Sequence, residues 1–157
     1  MGKITVITGG TSGIGRGIAE KILAESAAED RIFVTYGHNE EKAQAFLESL
    51  PREKRSQVVL VKADMSSYED MMAFVAELKD QADHIDWLGG NGGGSPYAKY
   101  EDYTFEEWTR IVNTNLSVPV FMVKELRPMM SEGGSILFTG SYAGQQAYSS
   151  SLVYGVT

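Results

Sequence analysis

The chain has 157 residues, no cysteine, two histidines and a formal net charge of −7. This length and an average composition predict one globular domain. The negative charge repels phosphate, which argues against a nucleic-acid partner, and the lack of cysteine excludes disulfides and thiolate metal sites. The sequence contains no run of 18 apolar residues. We therefore expect a cytoplasmic protein without a membrane span and without a bound metal.

Short β-branched runs alternate with amphipathic helical patterns along the whole chain. This alternation is typical of β-α-β units, in which helices cover both faces of a parallel sheet. The predicted strands comprise residues 4–8, 32–36, 58–61, 85–88 and 135–139. Each is nearly all apolar, as strands buried on both faces should be. The sequence therefore predicts the α/β class.

Four helices are predicted between these strands, each with one apolar stripe. The third and fourth begin with the spacing of a capping box, Ser67 with Asp70 and Thr104 with Glu107. The fourth is predicted as one helix with a bend at Pro119. The residues expected on the buried stripes of the first and fourth helices are Ile14, Ile18, Ile22, Leu23, Trp108, Ile111, Val112, Leu116, Val120 and Val123.

A glycine-rich segment, residues 8–15, connects the first strand to the first helix and reads Thr-Gly-Gly-Thr-Ser-Gly-Ile-Gly. Glycines at such a junction let the backbone turn tightly and approach a pyrophosphate. The free N–H groups and the dipole of the helix start then bind its negative charge. A P-loop would require lysine and a hydroxyl residue where Arg16 and Gly17 stand. The segment therefore predicts a dinucleotide site.

A second glycine-rich segment, residues 89–94, directly follows the fourth strand and has glycine at five of its six positions. Open α/β sheets bind ligands outside the carboxyl ends of their strands, and glycine lets a flat ligand come close to the backbone. A merely flexible turn is the alternative interpretation. We predict a ligand-contacting loop.

The spacing Gly-x-x-x-Gly-x-Gly over Gly9, Gly13 and Gly15 resembles that of the short-chain dehydrogenase/reductase family, and the resemblance spans essentially all of the chain. It implies a Rossmann-like parallel sheet of about five strands in the order 3-2-1-4-5, with helices on both faces. Residues 1–157 would form an NAD(P)-binding domain that is incomplete at its C-terminus. The cofactor-binding residues implied by the resemblance are Gly9, Thr11, Ser12, Gly13, Ile14, Gly15, Tyr36, His38, Asp64, Met65, Asn91, Gly92 and Gly93.

Two of these assignments concern the adenosine half of the cofactor. Asp64, in the sequence Lys-Ala-Asp-Met, resembles the family's aspartate that hydrogen-bonds the adenine amino group. The segment 90–93 lies where the family has Asn-Asn-Ala-Gly beside the adenosine, and Asn91 and Gly93 match it. Gly90 replaces the first asparagine, whose side chain pins the neighbouring strand. The resemblance therefore implies weaker pinning at this point.

The end of the second strand bears on the choice between NAD and NADP. A carboxylate there commonly binds the ribose 2′-hydroxyl of NAD, and no carboxylate is present near Tyr36. His38 follows shortly after and can act as a donor. Family members that use NADP often carry Arg or Lys at the place of Ser12, so this position gives no support. We expect NADP rather than NAD.

Carbonyl reduction with a nicotinamide cofactor requires a proton donor within reach of the carbonyl oxygen. In the family this donor is a tyrosine with a lysine four residues later, a serine thirteen residues earlier and an asparagine on the preceding helix, which holds a proton-relay water. Tyr154, Ser141 and Asn115 match three of these four residues. The resemblance implies hydride transfer between NAD(P)(H) and a small carbonyl or alcohol substrate.

The family's lysine would be residue 158, one position beyond Thr157. It contacts the nicotinamide ribose and activates the tyrosine, so activity of this 157-residue chain is in doubt. The family's C-terminal part also supplies two further strands. Without them the fifth strand is expected to be an exposed edge that pairs with another chain, which predicts a homo-oligomer.

Two alternatives remain open at this point. The same fold can serve as a non-catalytic nucleotide-binding or assembly module, in which Tyr154 has no chemical role. A flavodoxin-like carrier is a weaker alternative, because its phosphate loop would be rich in hydroxyl residues and its cofactor would be FMN.

Overall fold

The computed structural model describes residues 2–95, 98–146 and 152–157, and strands alternate with helices throughout them. The strands are β1 (Ile4–Ile7), β2 (Arg31–Tyr36), β3 (Val58–Lys62), β4 (Ile85–Gly90) and β5 (Met130–Phe138). The helices are α1 (Gly13–Glu25), α2 (Glu40–Ser49), α3 (Tyr68–Gln81), α4 (Phe105–Val112), α5 (Val118–Leu126) and α6 (Leu152–Val156).

The five strands form one parallel sheet in the order β3-β2-β1-β4-β5, so the predicted fold class and strand order are confirmed. β1 lies at the centre, where Val6 is aligned with Phe33 of β2 and with Leu88 of β4. β2 and β3 follow β1 on one side of it in the sheet, and β4 and β5 lie on the other side of β1. The loops after β1 and β4 therefore lie side by side at the carboxyl edge of the sheet, where this class of sheet binds its ligands.

Two apolar clusters cover the two faces of the sheet. α1 and α2 pack on one face, and α3 and α5 pack on the other. The first cluster contains Ile7, Ala19, Leu23, Ile32, Val34, Phe46 and Leu50. The second contains, among others, Val6, Phe33, Met71, Phe74, Leu78, Leu88, Val118, Met122 and Leu126. Burial of this apolar surface is the main stabilising term, and it fixes the strand ends from which the loops of the site emerge.

The predicted fourth helix is interrupted rather than merely bent. α4 ends at Val112, a π-helical turn spans Asn113–Ser117, and α5 begins at Val118. Pro119 lacks the N–H group that would bond to the carbonyl of residue 115 in a regular α-helix. The backbone therefore departs from the α-helix before the proline, with a turn whose hydrogen bonds are one residue longer.

Several residues predicted to be buried are exposed. Ile111 and Val118 are buried, whereas Trp108, Leu116 and Val120 are exposed, and Leu116 and Val120 line a cavity at the sheet edge. Ile14 is also exposed, because the first turn of α1 faces a cavity at the sheet edge instead of the core. Four members of the two predicted apolar stripes were thus wrong. The core positions of α1 are Gly15, Ala19 and Leu23.

The two predicted capping boxes differ in the structure. At α4 both halves form: the Thr104 hydroxyl accepts from the N–H of Glu107, and the Glu107 carboxylate accepts from the N–H of Thr104. At α3 the Ser67 hydroxyl accepts from the N–H of Asp70, but the Ser67 N–H donates to the carbonyl of Asp64. The Asp70 carboxylate accepts instead from the Ser67 hydroxyl and the Asp64 N–H. The Asp70 side chain is one methylene shorter than the glutamate of a complete capping box, and its carboxylate does not accept from the N–H of Ser67.

β5 begins five residues earlier than predicted. Met130 is aligned with Ile85, and the register then shifts so that Ser135 is aligned with Trp87. Gly133 lies inside this irregularity with a φ of 77°, a conformation that side-chain-bearing residues rarely adopt. The predicted start at residue 135 corresponds to the regular part of the strand.

Within residues 2–95, 98–146 and 152–157, no helix is long and apolar enough to cross a membrane. The longest, α3, has 14 residues. In the same residues, no group of three or more His, Asp or Glu side chains has an arrangement that would hold a metal ion.

Candidate functional site

The carboxyl ends of the strands surround a cavity of about 1080 Å³. Its walls come from the segments that follow all five strands, from the π-helical turn and from the ends of α5 and α6. The fold therefore brings together residues from distant parts of the chain. The predicted site residues that line the cavity are Gly9, Ser12, Gly13, Ile14, His38, Asp64, Met65, Asn91, Gly92, Gly93, Asn115, Ser141 and Tyr154.

Three predicted residues do not line this cavity. Thr11 and Gly15 are buried within the first loop, and Tyr36, at the end of β2, is half-buried and not part of the cavity lining. Thr35 and Gly37 line the cavity instead. Because successive residues of a strand face opposite sides, the residues on either side of Tyr36 reach the site when Tyr36 does not.

The glycines of the first loop each meet a physical requirement. Gly9 and Gly13 have φ values of 62° and 53°, in the left-handed region that favours glycine. A Cβ atom on Gly15 would lie 2.4 Å from Nδ2 of Asn91 and 2.5 Å from the carbonyl oxygen of Gly9. Gly15 therefore lets α1 pack closely against the loops after β1 and β4.

The start of α1 differs from the starts of the next three helices. Ser12, at the N-cap of α1, makes no side-chain hydrogen bond to the helix, and the first turn contains no acidic residue. α2, α3 and α4 each have a side-chain cap and two acidic residues in their first turn. The first N–H groups of a helix require partners from outside it. At α1 these groups lie beside the cavity, where a negatively charged ligand would satisfy them.

Asp64 lies at the end of the cavity that follows β3. Its Oδ1 accepts hydrogen bonds from the N–H and the hydroxyl of Ser66, both at 2.8 Å, and its Oδ2 lies 3.4 Å from Nε2 of His38. Burial raises the pKa of Asp64, but the two bonds from Ser66 and the charges of His38 and Arg110 outweigh it and lower the pKa. The carboxylate is therefore ionised at neutral pH and available as an acceptor.

Side chains that the sequence analysis did not identify hold the second glycine-rich segment. The Thr8 hydroxyl accepts from the N–H groups of Asn91 and Gly92, both at 3.0 Å. The Thr139 hydroxyl donates to Oδ1 of Asn91 at 2.9 Å. These threonines follow β1 and β5 directly, and this position at the carboxyl edge is the only signal by which they could have been found. These bonds hold residues 91 and 92 to the residues that follow β1 and β5.

Gly90 has a neighbour that explains the departure from the family sequence. Phe138 is aligned with Gly90 across the ladder between β4 and β5, and a Cβ atom on Gly90 would lie 2.2 Å from its ring. The Gly90 carbonyl accepts from the N–H of Thr139 at 2.9 Å. The expected loss of pinning at this position is thus offset, because the Phe138 ring occupies the space and the backbone bond holds the two strands together.

Ser141, Asn115 and Tyr154 approach the same cavity from three elements. Ser141 is exposed after β5, and its Oγ accepts from the N–H of Ala143 at 3.2 Å, which leaves its own O–H free to donate. Asn115 lies in the π-helical turn and bonds to both backbone polar groups of Gly94. Tyr154 lies in α6 and is half-buried. The segment 147–151 that precedes α6 lies outside the described residues.

The parallel sheet and the glycine loop at its carboxyl edge define a Rossmann-like α/β protein. The family model of the short chain dehydrogenases matches residues 3–157. The chain therefore belongs to the short-chain dehydrogenase family, as its resemblance to that family predicted.

Individual relatives support this membership. A 3beta-hydroxysteroid dehydrogenase of Mediterraneibacter gnavus is 29% identical over 154 residues, which cover 97% of this chain and 54% of the relative. The crystal structure of the short-chain glucose/ribitol dehydrogenase of Brucella melitensis superposes with a TM-score of 0.86 at 27% identity, covering 98% of this chain and 63% of that one. The ketoreductase LanV with bound NADP gives a TM-score of 0.85 at 27% identity, covering 98% and 61%. The chain spans about half the length of the curated relatives it matches.

Proposed function

We propose that the protein is an NAD(P)-dependent oxidoreductase that transfers hydride between the cofactor and the carbonyl or alcohol group of a small molecule. The observation that carries this proposal is the uncapped start of α1, which opens at Gly13 onto the cavity that Ser141 and Tyr154 also line. Nicotinamide-dependent carbonyl reduction needs an anion-binding helix terminus and a nearby proton donor. Membership of the short-chain dehydrogenase family supports the same reaction class.

The residues around the cavity fit a dinucleotide. The N–H groups at the start of α1 would bind the pyrophosphate, and the ionised Asp64 would accept a hydrogen bond from the adenine amino group. The held segment 91–93 has a single side chain, so a flat group can approach its backbone. We propose as cofactor-binding residues Gly9, Thr11, Ser12, Gly13, Ile14, Gly15, Tyr36, His38, Asp64, Met65, Asn91, Gly92 and Gly93, of which Thr11, Gly15 and Tyr36 would act by shaping the loops.

NADP is the cofactor that we favour over NAD. The segment after β2 lines the cavity with Gly37 and His38 and offers no carboxylate to a ribose 2′-hydroxyl. His38 is exposed and supplies a donor for a 2′-phosphate. The relative LanV was crystallised with NADP bound, which supports the same choice.

When bound, the cofactor supplies or accepts the hydride. The other half of the reaction belongs to residues of this chain. In carbonyl reduction Oη of Tyr154 donates a proton to the substrate oxygen, and the Ser141 hydroxyl donates a hydrogen bond to the same atom. Oδ1 of Asn115 accepts one hydrogen bond, from Gly94 at 2.9 Å, and so keeps a lone pair for a proton-relay water.

We propose that residues 1–157 bind the cofactor, and that full turnover depends on the lysine that the family resemblance places four positions after Tyr154, at position 158. A non-catalytic nucleotide-binding or assembly module is the second candidate function. The exposed strand β5 favours it, because an open strand edge beside the site offers pairing to another chain.

The remaining proposals concern the setting of the protein. Residues 1–157 would form a single NAD(P)-binding domain whose partners are small molecules and other copies of the same chain. We propose β5 as the contact between copies because, among the described residues, it pairs only with β4. A reducing compartment such as the cytoplasm suits a chain without cysteine.

Titration of the purified chain with NADPH and NADH, followed by cofactor fluorescence, tests the proposal. We expect NADPH to bind about tenfold more tightly than NADH, a difference of about 1.4 kcal/mol. Turnover of model ketones is then followed by the loss of NADPH absorbance, with Tyr154→Phe as the matched control. Turnover that Tyr154→Phe abolishes supports the oxidoreductase. Binding without turnover supports the module, and failure to bind either cofactor contradicts both.

A further inference from the structure

The side chain of Asn115 connects two parts of the cavity wall. Its Oδ1 accepts from the N–H of Gly94 at 2.9 Å, and its Nδ2 donates to the Gly94 carbonyl at 3.0 Å and to the Thr157 hydroxyl at 2.9 Å. A side-chain amide has two N–H donors, so both are used. The glycine-rich segment after β4 and the end of α6 are therefore joined through one side chain.

Thr157 completes this connection at the last turn of α6. Its Oγ1 accepts from Asn115 and donates to the carbonyl of Val153 at 3.1 Å or of Tyr154 at 3.3 Å. A hydroxyl has one hydrogen, so it donates to one of these carbonyls at a time. The hydroxyl thus lies between the asparagine and the backbone turn that carries the tyrosine.

The connection matters because it is one of the contacts that fix the described part of α6, Leu152–Val156, to the rest of the protein. Val153 supplies one such contact, because it is fully buried. The Asn115–Thr157 bond is a polar contact from outside the helix, and Asn115 also bonds to Gly94 of the loop that would contact the cofactor.

We propose that Thr157 is a positioning residue whose hydroxyl couples the glycine-rich segment 92–94 to the turn of α6 that carries Tyr154. A bound cofactor that restrains the segment further would then restrain Tyr154 as well. The inference rests on the proposed cofactor binding, since the cofactor is what adds this restraint. It goes beyond that proposal by assigning a role to a residue with no part in binding or proton transfer.

Hydrogen exchange in two segments measures this coupling. In the wild-type chain, NADPH is expected to slow amide exchange in residues 91–95 and also in residues 152–157. Thr157→Val keeps the shape of the side chain and removes both hydrogen bonds. Protection of 91–95 should persist in this variant, whereas the cofactor-induced slowing in 152–157 should fall about fivefold, the change that one ordinary hydrogen bond produces.

Thr157→Ser is the matched control, because it retains the hydroxyl and should restore the slowing in 152–157. A merely structural role would change the exchange of α6 equally with and without NADPH, and that result would overturn the proposal. Full slowing in Thr157→Val, or none in Thr157→Ser, would also overturn it. Wild-type protection of 91–95 alone contradicts the coupling and leaves cofactor binding intact, whereas protection of neither segment contradicts cofactor binding and the coupling with it.

Discussion

Strands β1 and β5 both contain apolar runs, but β1 is buried and most of β5 is exposed. All four residues of β1 are buried, whereas β5 is exposed from residue 132 to residue 138. β1 pairs with a strand on each side and has helices on both faces. Among the described residues, β5 pairs only with β4. Leu88 of β4 is 1% exposed, and Leu137 of the adjacent β5 is 68% exposed.

This difference in burial also distinguishes the part of the candidate site that follows β1 from the part that follows β5. The loop after β1, the start of α1 and Thr35 adjoin the buried core, which supports the half of the site that we propose for phosphate binding. Ser141 follows β5, which is exposed over residues 132–138 and, among the described residues, pairs only with β4. We expect other chain segments or a second copy to pack on this apolar surface.

A pair of leucine substitutions gives the largest expected contrast between the two regions. Leu88→Ala removes a core side chain and should lower the free energy of unfolding by about 2–5 kcal/mol. Leu137→Ala removes an exposed side chain and should change it by about 0.5 kcal/mol or less. Urea unfolding measures both variants. Similar losses at the two positions would show that β5 is covered in solution.

A pair of glycine substitutions in α1 tests how tightly the phosphate-binding half is packed. A Cβ on Gly15 would collide with Asn91 and with the backbone of Gly9, so Gly15→Ala should weaken NADPH binding about 100-fold, or about 2.7 kcal/mol. A Cβ on Gly17, two residues further along α1, meets nothing within 4 Å, so Gly17→Ala is the matched control. It should leave affinity unchanged and stabilise the protein by about 0.4–1 kcal/mol. Equal affinities of the two variants would contradict the packing account.

A measurement of self-association tests whether the exposed strand β5 pairs with a second copy of the chain. Leu137→Lys places a charge on the exposed strand and should weaken any homo-oligomer about tenfold, or about 1.4 kcal/mol. Ala45→Lys, on the exposed surface of α2, is the control and should have no effect. Sedimentation velocity over a concentration series measures the change. A wild-type chain that stays monomeric throughout would contradict association through β5.

The smallest expected effect lies at the amino ends of the strands, where His84 bonds to Asp83 and to the Gly2 carbonyl. The bond to Asp83 raises the pKa of His84 against the opposing effect of burial, and Asp86 raises it further. Because the folded-state pKa is raised, this stabilisation is complete below the unfolded value of about 6.5 and is lost as the pH rises through the folded-state pKa.

His84→Gln should therefore destabilise the protein by up to about 1 kcal/mol near pH 5.5 and by less at pH 8.5. Thermal unfolding at the two pH values measures the difference. A larger loss at the higher pH would contradict the sign of the shift.

Much of the fold could be predicted because it depends on local patterns. Apolar runs and helical stripes separated by turn residues indicate parallel β-α-β units, and the position of the glycine loop after β1 indicates a phosphate site. The resemblance to a family then placed Ser141, Tyr154 and Asn115, and the structure brings all three to one cavity.

The remaining features depend on contacts between distant residues. Thr8 and Thr139 look like ordinary β-branched residues in sequence, and their hydroxyl bonds appear only once the strands are in register. The packing of the Phe138 ring beside Gly90 also depends on the register between β4 and β5, which the sequence alone does not reveal. The π-helical turn could not be predicted either, because a proline indicates a disturbed helix without giving the form of the disturbance.

A crystal structure of the chain with NADPH tests the central claim most directly. The account predicts that the pyrophosphate lies within about 3 Å of the free N–H groups at the start of α1, with the adenine beside Asp64. A cofactor bound elsewhere, or a pyrophosphate that does not contact the start of α1, would contradict it.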